Sequence, residues 1–314
     1  MRLLFNTKSL STVKDKAWEH ILARRGSNYE LDQLRQLFSN YDMEDQRFTH
    51  LHCVVIGLRP VLLIKELQDV STRDQLDMKD ARGRTPLHWA CDRGDTSAVG
   101  ILVHTGAEVN VTDSLGSTPL IYAASSGKLN AVNTLLSMGA DANVHTGRGD
   151  SPLHFASRHQ SRVALVQALV KAGALVNHRN KLGNTPLAGA AMMNKCEIGR
   201  YLVQQGADIH TQGMYGDTPL FETIYHSSHQ FMQMLLHEGA RATDVNSSGC
   251  TILHATGLEG DIGTIRVLHD AGVRLPSKDI KNNLGETAWQ SYQKRLMAPD
   301  AFGVLFAQLL CLSD

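Results

Sequence analysis

From Thr85 onward the apolar positions follow one order that returns about every 33 residues. A small polar residue leads, Pro and Leu follow, and a small residue closes the run, as in Thr85-Pro86-Leu87-His88-Trp89-Ala90. The order recurs at Thr118-Pro119-Leu120, Ser151-Pro152-Leu153-His154, Thr185-Pro186-Leu187 and Thr218-Pro219-Leu220, then less closely at Thr251-Ile252-Leu253-His254. Degenerate copies begin at Thr49 and Thr287, and the spacings between leads are 36, 33, 33, 34, 33, 33 and 36. The pattern predicts a helix after each lead: Thr or Ser caps it, and Pro sits in the first turn, where its missing N–H costs nothing. A second apolar series, Val132, Leu135 and Leu136 in one copy and Val163, Leu165, Val166 and Leu169 in the next, predicts a second amphipathic helix. Gly106, Gly139, Gly173, Gly206, Gly239 and Gly272 end these second helices in left-handed caps. Gly83, Gly116, Gly149, Gly183, Gly216, Gly249 and Gly285, each two residues before a lead, predict the turn of a β-hairpin finger. One such unit cannot bury its face alone, so neighbours stack into a solenoid.

The two ends read as caps. In residues 1–41, Trp18, Ile21 and Leu22, then Leu31, Leu34, Leu37 and Phe38, have helical spacing, with a break at Arg25-Gly26-Ser27-Asn28. The last unit lacks a complete second half, and Pro299-Asp300 restarts a helix carrying Phe302, Leu305, Phe306, Leu309 and Leu310. No long linker interrupts the chain, so its 314 residues read as one elongated domain rather than two globular ones.

Composition narrows the partners. Lys+Arg and Asp+Glu are both 31, a net charge of zero, which argues against nucleic acid or a polybasic membrane surface. No segment reaches the ~18 apolar residues of a membrane span, and Leu3, Leu4 and Phe5 are too short a run for a secretory signal. The five cysteines (Cys53, Cys91, Cys196, Cys250 and Cys311) are scattered without a C-x-x-C pair, so a cytoplasmic, reducing compartment is expected.

Signatures of chemistry are missing. There is no H-E-x-x-H, G-x-S-x-G, phosphate loop or EF-hand loop, so no catalytic residue, cofactor or metal ion is expected. Of 15 histidines, His52, His88, His154 and His254 share the fourth motif position, which points to a repeated structural task. Arg148-Gly149-Asp150 spells an integrin-type tripeptide, but Gly149 is the finger glycine of its unit.

These motifs resemble the ankyrin-repeat family over about residues 42–312, in a style similar to fungal multi-ankyrin proteins. The resemblance implies an all-α repeat solenoid of about eight repeats, each a pair of antiparallel helices with a β-hairpin finger, capped by helices at both ends. It implies that the four histidines bond to backbone and brace the fingers. Partners of the family dock on finger tips and on the inner face of the first helices. By offset from each lead, those positions place Arg82, Arg84, Arg93, Arg148, Arg158 and His159 in repeats two to four. In repeats five to seven they place Leu182, Met192, Met193, Met214, Tyr215, Tyr225, His226 and Leu258.

An apolar patch beside charge at positions that ordinarily meet solvent marks an interaction site, and Tyr, Arg and Met suit one. The reading is a non-enzymatic scaffold or adaptor whose groove holds an extended segment of a partner protein, with apolar anchors and an acidic end. The alternative is an enzyme or small-molecule-binding protein with its site in repeats four to seven, where Tyr225, His226, Glu222, His159 and Asp217 would supply acid–base groups. Self-association through the Met/Tyr patch stays open. Around this patch the glycine that ends the first helix gives way to Gln160, Asn194 and Ser227, and the small pair of repeat six becomes Thr223-Ile224.

Overall fold

The computed structural model describes residues 49–57, 60–158, 163–272, 275–295 and 300–311; the expected N-terminal cap over 1–41 lies outside them. The described chain is a row of short helix pairs. First helices start after each lead: α1 (His50–Gly57), α4 (Pro86–Arg93), α6 (Pro119–Ser125), α8 (Pro152–Arg158), α10 (Pro186–Met192), α12 (Pro219–Tyr225), α14 (Ile252–Glu259) and α16 (Ala288–Gln293). Second helices return behind them: α2 (Pro60–Glu66), α5 (Thr96–Thr105), α7 (Leu129–Ser137), α9 (Val163–Lys171), α11 (Cys196–Gln204), α13 (His229–His237) and α15 (Ile262–Asp270). The short α3 (Val70–Arg73) accommodates the longer first spacing, and α17 (Asp300–Cys311) ends the described row.

The leads act as their chemistry requires. Thr118 and Thr185 have extended backbone, and their hydroxyls accept the N–H of Ile121 and Ala188. Leu87, Leu120, Leu153, Leu187, Leu220 and Leu253 are fully buried between units, and Ala90, Ala123, Ala156 and Ala190 leave the space in which neighbouring helices meet. At the C-terminal end Phe302 and Phe306 of α17 are buried, with ring centroids 5.5 and 5.6 Å from Tyr292; Trp289 stacks 6.3 Å from Phe306.

Polar stitches repeat with the same period. Each of the four histidines takes the N–H of its own lead residue on Nδ1, so Nε2 carries the proton. Nε2 then donates to the backbone carbonyl just before the next lead: His52 to Arg84, His88 to Ser117, His154 to Asn184 and His254 to Glu286, at 2.9–3.0 Å. A second series uses asparagine. Asn110, Asn143 and Asn177 each donate Nδ2 to the glycine carbonyl that ends the following unit and accept a backbone N–H two residues beyond it.

The fingers are tight hairpin turns too short to form strands: Asp80 N–H donates to the Arg84 carbonyl at 2.8 Å and Gly83 N–H to the Asp80 carbonyl at 2.9 Å, and the same pair of bonds recurs in the later fingers. Among the described residues no strand forms; only the isolated bridges Val245–Thr251 and Lys281–Thr287 occur. In every described finger but the one before Thr218, where Gly213 stands, a side chain five residues before the lead also holds the turn: Asp80 Oδ1 accepts the N–H of Arg82 and Arg84 at 2.8 and 2.9 Å. Asp113, Asn180, Asn246 and Asn282 do the same for their fingers, and Thr146 does so with its hydroxyl. Ladder bonds also run from finger to finger: the carbonyls of Arg82, Leu115, Arg148, Leu182 and Tyr215 accept N–H groups of the next finger at 2.7–3.0 Å.

Candidate protein-binding surface

The finger-to-finger bonds set one residue per unit in register at the tips, three positions before the lead. That row reads Arg82, Leu115, Arg148, Leu182, Tyr215, Ser248 and Leu284. Its apolar members are open to solvent: Leu182 is 51% exposed, Tyr215 69% and Leu284 79%, with Met214 beside Tyr215 at 54%. A second row lies where the first helices end, seven positions after the lead: Asp92, Ser125, Arg158, Met192, Tyr225 and Leu258. The helix-end row turns from polar to apolar toward the C-terminal units, whereas the tip row already carries an exposed apolar residue at Leu115 (71%) and returns to polar at Ser248. Met193 and His226 follow Met192 and Tyr225 and are exposed, as are Tyr225 and Leu258; Met192 is half-buried.

The backbone at these helix ends is unusual. Ordinarily the residue nine after the lead is glycine in the left-handed region, as at Gly94 (φ 73°) and Gly127 (φ 67°). Asn194 and Ser227 hold the same conformation at φ 53° and 51° with a side chain attached, directly after Met193 and His226. Asn194 is compensated, because its Oδ1 accepts the N–H of Phe231 in the next unit at 3.1 Å. Ser227 has no such bond.

Between the two rows lies a polar floor. Asp217, two residues past the tip Tyr215, accepts Tyr225 Oη–H at 3.2 Å and Asn246 Nδ2–H at 2.9 Å. Burial, together with the charge on Asp217, keeps the Tyr225 phenol protonated well above its usual range. Glu222 is mostly buried on α12, and His226 Nε2 stands 3.8 Å from its carboxylate. Burial and then Asp217 push the Glu222 carboxyl up to about 7, with Arg158 pulling the other way. Arg158 lies over Gly189 and pairs with Asp150 at 3.3 Å; Asp150 also accepts Asn180 Nδ2–H at 2.8 Å. Thus Tyr225, His226, Glu222 and Asp217 do come together, while His159 lies outside the described residues. Trp89 and Tyr122 show what that floor holds earlier in the row, for each donates to the finger aspartate of its own unit, Asp80 or Asp113.

One expected contact residue is misplaced. Arg84 was read as a finger tip, but it is only 6% exposed. It stands one residue before the lead, where side chains turn in beneath the finger. Its Nε bonds to Asp80 at 2.9 Å and its guanidinium lies 4.0 Å over the Trp89 ring, so it is a core bracket. Arg82, Arg93 and Arg148 are exposed as expected. The sequence reading passed over Leu284, although it shares the tip offset of Leu182 and Tyr215. It also passed over Asn246, which braces Asp217 from the next finger.

Among the described residues no helix is long and apolar enough to cross a membrane, and no group of three or more His, Cys, Asp or Glu is placed to hold a metal ion. Cys91, Cys196, Cys250 and Cys311 are free thiols.

Comparison with known proteins agrees with the fold. The chain is similar to the ankyrin repeat domain of human ASB11, with a TM-score of 0.62 and 24% identity, covering 72% of this chain and 98% of that one. No curated protein matches the sequence. The model for ankyrin repeats, in three copies, matches residues 20–113, 60–146 and 120–213. Those matches run through more than half of the 314 residues, and they take in the leads from Thr49 to Thr185 with their first helices and stitched fingers: the chain belongs to the ankyrin-repeat family.

Proposed function

We propose that this protein is a non-enzymatic scaffold or adaptor that binds a segment of another protein along its finger tips and first-helix ends, in the units led by Thr185, Thr218 and Thr251. Ankyrin repeats are generally protein–protein interaction modules. The observation that carries the placement is the exposed apolar row of Leu182, Met193, Met214, Tyr215 and Tyr225 on a rigidly stitched frame. An exposed apolar group of this size is unexpected on a face with no use for it. The residues come from successive units held by backbone bonds, so a partner would meet a pre-organised surface and lose little affinity to ordering it.

The non-glycine left-handed residues support the same placement. They fix where Met193 and Tyr225 stand at a cost in backbone strain, which proteins retain mainly where a conformation serves a task. Arg93, Arg148 and Arg158 belong to the polar continuation of the surface toward the N-terminal units.

The test is an affinity capture from a source lysate, read by mass spectrometry, with wild type against Met193→Asp/Tyr225→Ala. A protein held by wild type and released by a variant with an unchanged circular dichroism spectrum and melting curve supports the reading. Equal capture by both would remove this surface from consideration. Tyr215→Ala and Tyr225→Ala singly should weaken that capture with little change in stability. A large loss of stability in both would make them core residues and the assignment wrong.

A further inference from the structure

We infer that the segment this surface recognises is extended and basic, with apolar side chains on either side of a lysine or arginine that seats over Asp217 and Glu222. The inference rests on the binding surface proposed above and adds the chemistry of its occupant.

The argument is one of charge. On the floor between the rows, Arg158 is already matched by Asp150 at 3.3 Å. Asp217 is satisfied by two neutral donors, Tyr225 and Asn246, which leave its charge in place. Glu222 lies 3.8 Å from His226. Neither Asp217 nor Glu222 is in an ion pair with a Lys or Arg among the described residues, and the charge on Asp217 raises the cost of ionising Glu222. A cation delivered between them relieves that repulsion, and in a half-buried setting a charge-assisted bond is stronger than at an open surface. An acidic segment would meet like charge there.

The rim sets the spacing. Leu182 and Tyr215 belong to adjacent units, and neighbouring helices pack ~8–10 Å apart. That separation matches about three residues of extended chain at ~3.3 Å each. Two apolar anchors about three residues apart, with the basic residue between them, would rest on the tips and on the Met193–Tyr225 row while the cation reaches the floor.

The arrangement also couples binding to protons. The groups that face Glu222 are Asp217 from its own finger, Tyr225 and His226 from its own helix, and Arg158 from α8; Tyr225 in turn faces Cys250 of the next finger. A bound cation favours ionised Glu222, so with a free carboxyl near 7 affinity should rise about tenfold between pH 6 and pH 8.

The experiment uses the full chain and short random peptides displayed on phage. Enriched peptides are synthesised with a fluorescent label and titrated by anisotropy at pH 6 and pH 8 against wild type, Glu222→Gln, Asp217→Asn and Tyr215→Ala/Tyr225→Ala. The expected result is enrichment of Lys or Arg between apolar residues, about tenfold weaker binding to Glu222→Gln, and a pH ratio that collapses toward one in that variant. Acidic or uncharged peptides that still need Tyr215 and Tyr225 would overturn the inference and leave the binding surface standing. Peptides indifferent to both tyrosines, or no enrichment at all, would overturn both. Glu222→Gln makes no new contact and removes no hydrogen bond, and its melting curve confirms that it is folded; Asp217→Asn gives the second reading of the same loss of charge.

Discussion

Acid should loosen this solenoid through its histidine staples, and one substitution isolates the effect. Burial holds the His88 and His154 imidazoles down to about 4, against 6.5 for a free side chain, despite the carbonyl each one reaches. His52 and His254 are lowered in the same direction and chiefly for the same reason. As pH falls below 6.5 the unfolded chain takes up a proton on each imidazole before the folded chain does. The stability they contribute is therefore complete above about pH 6.5 and is lost progressively toward about pH 4. With those two values, a single His88 costs the fold about 2 kcal/mol between pH 7.5 and pH 5. Glu222, raised to about 7, works the opposite way, since its folded form prefers the proton and gains as pH falls through 7. Wild type alone would therefore blur the result, and the measurement is a difference. His88→Gln keeps the local cap, as the chain itself demonstrates at its end, where Gln290 accepts the N–H of the lead Thr287 at 2.9 Å. Glutamine loses the bond to the Ser117 carbonyl, so at pH 7.5 the variant should be less stable by about 1–3 kcal/mol. At pH 5 that gap should shrink by about 2 kcal/mol, because the variant has no imidazole left to protonate. Urea unfolding followed by far-ultraviolet circular dichroism at the two pH values gives both numbers. Parallel losses of stability in wild type and variant would refute the burial argument for these histidines.

Other substitutions test other parts of the frame. Ser227→Gly should raise stability by about 0.5–1 kcal/mol, because the backbone at φ 51° suits glycine and Ser227 makes no compensating bond there. Asn194→Gly should give no such gain, since it also removes the acceptor for the Phe231 N–H; thermal melts of the pair would expose an error if both rose equally. Leu153→Ala, fully buried between units, should cost about 2–5 kcal/mol, and a neutral result in urea would mean the repeat register is wrong. Gly199→Ala puts a methyl 2.4 Å from the Phe231 ring and 2.7 Å from Met234, so it should destabilise by about 1–3 kcal/mol, seen as a lower urea midpoint.

The solenoid was legible because its rules are local. A lead Thr or Ser, a Pro in the first turn and a glycine after the second helix act within one turn of chain, and they placed the helix starts correctly from Thr85 to Thr287. The fingers were legible in part. Glycine two residues before the lead marks the hairpin turn and does stand in the left-handed region there, but the side chain of Asp80, Asp113, Asn180, Asn246 or Asn282 that also holds the turn stands at an offset visible in the sequence and unused. Arg84 was misjudged because alternate residues of a finger face opposite ways, and only the fold brings Trp89 and Asp80 beneath it. The raised Glu222 carboxyl was not legible at all. Its cause is burial on α12 and the approach of Asp217 from the finger, neither of which any spacing along the chain encodes.

The pattern of departures carries more weight than any one of them. In the units led by Thr185 and Thr218, the fourth motif position is Ala188 and Phe221, so the histidine staple is lost. The asparagine stitch ends with Asn177; the corresponding residues are His210, with a looser 3.6 Å contact to Asp244, and Thr243. The helix-ending glycine is replaced by Asn194 and Ser227, and the aromatic that reaches the finger aspartate in the Thr85 and Thr118 units is replaced by Gly189 and Glu222. Each change removes a bond or adds strain, and drift alone would scatter such changes along an array of equivalent units. The unit led by Thr118, where Ile121 replaces the histidine, shows what a single scattered loss looks like, for its neighbouring glycine and asparagine are intact. In the Thr185 and Thr218 units the losses coincide with each other and with the exposed Leu182, Met193, Met214, Tyr215 and Tyr225. Sequences that otherwise obey their local rules break them where another requirement competes. The partner surface proposed above is such a requirement, and Glu222, unpaired with Lys or Arg among the described residues, stands where the Thr85 and Thr118 units hold an aromatic.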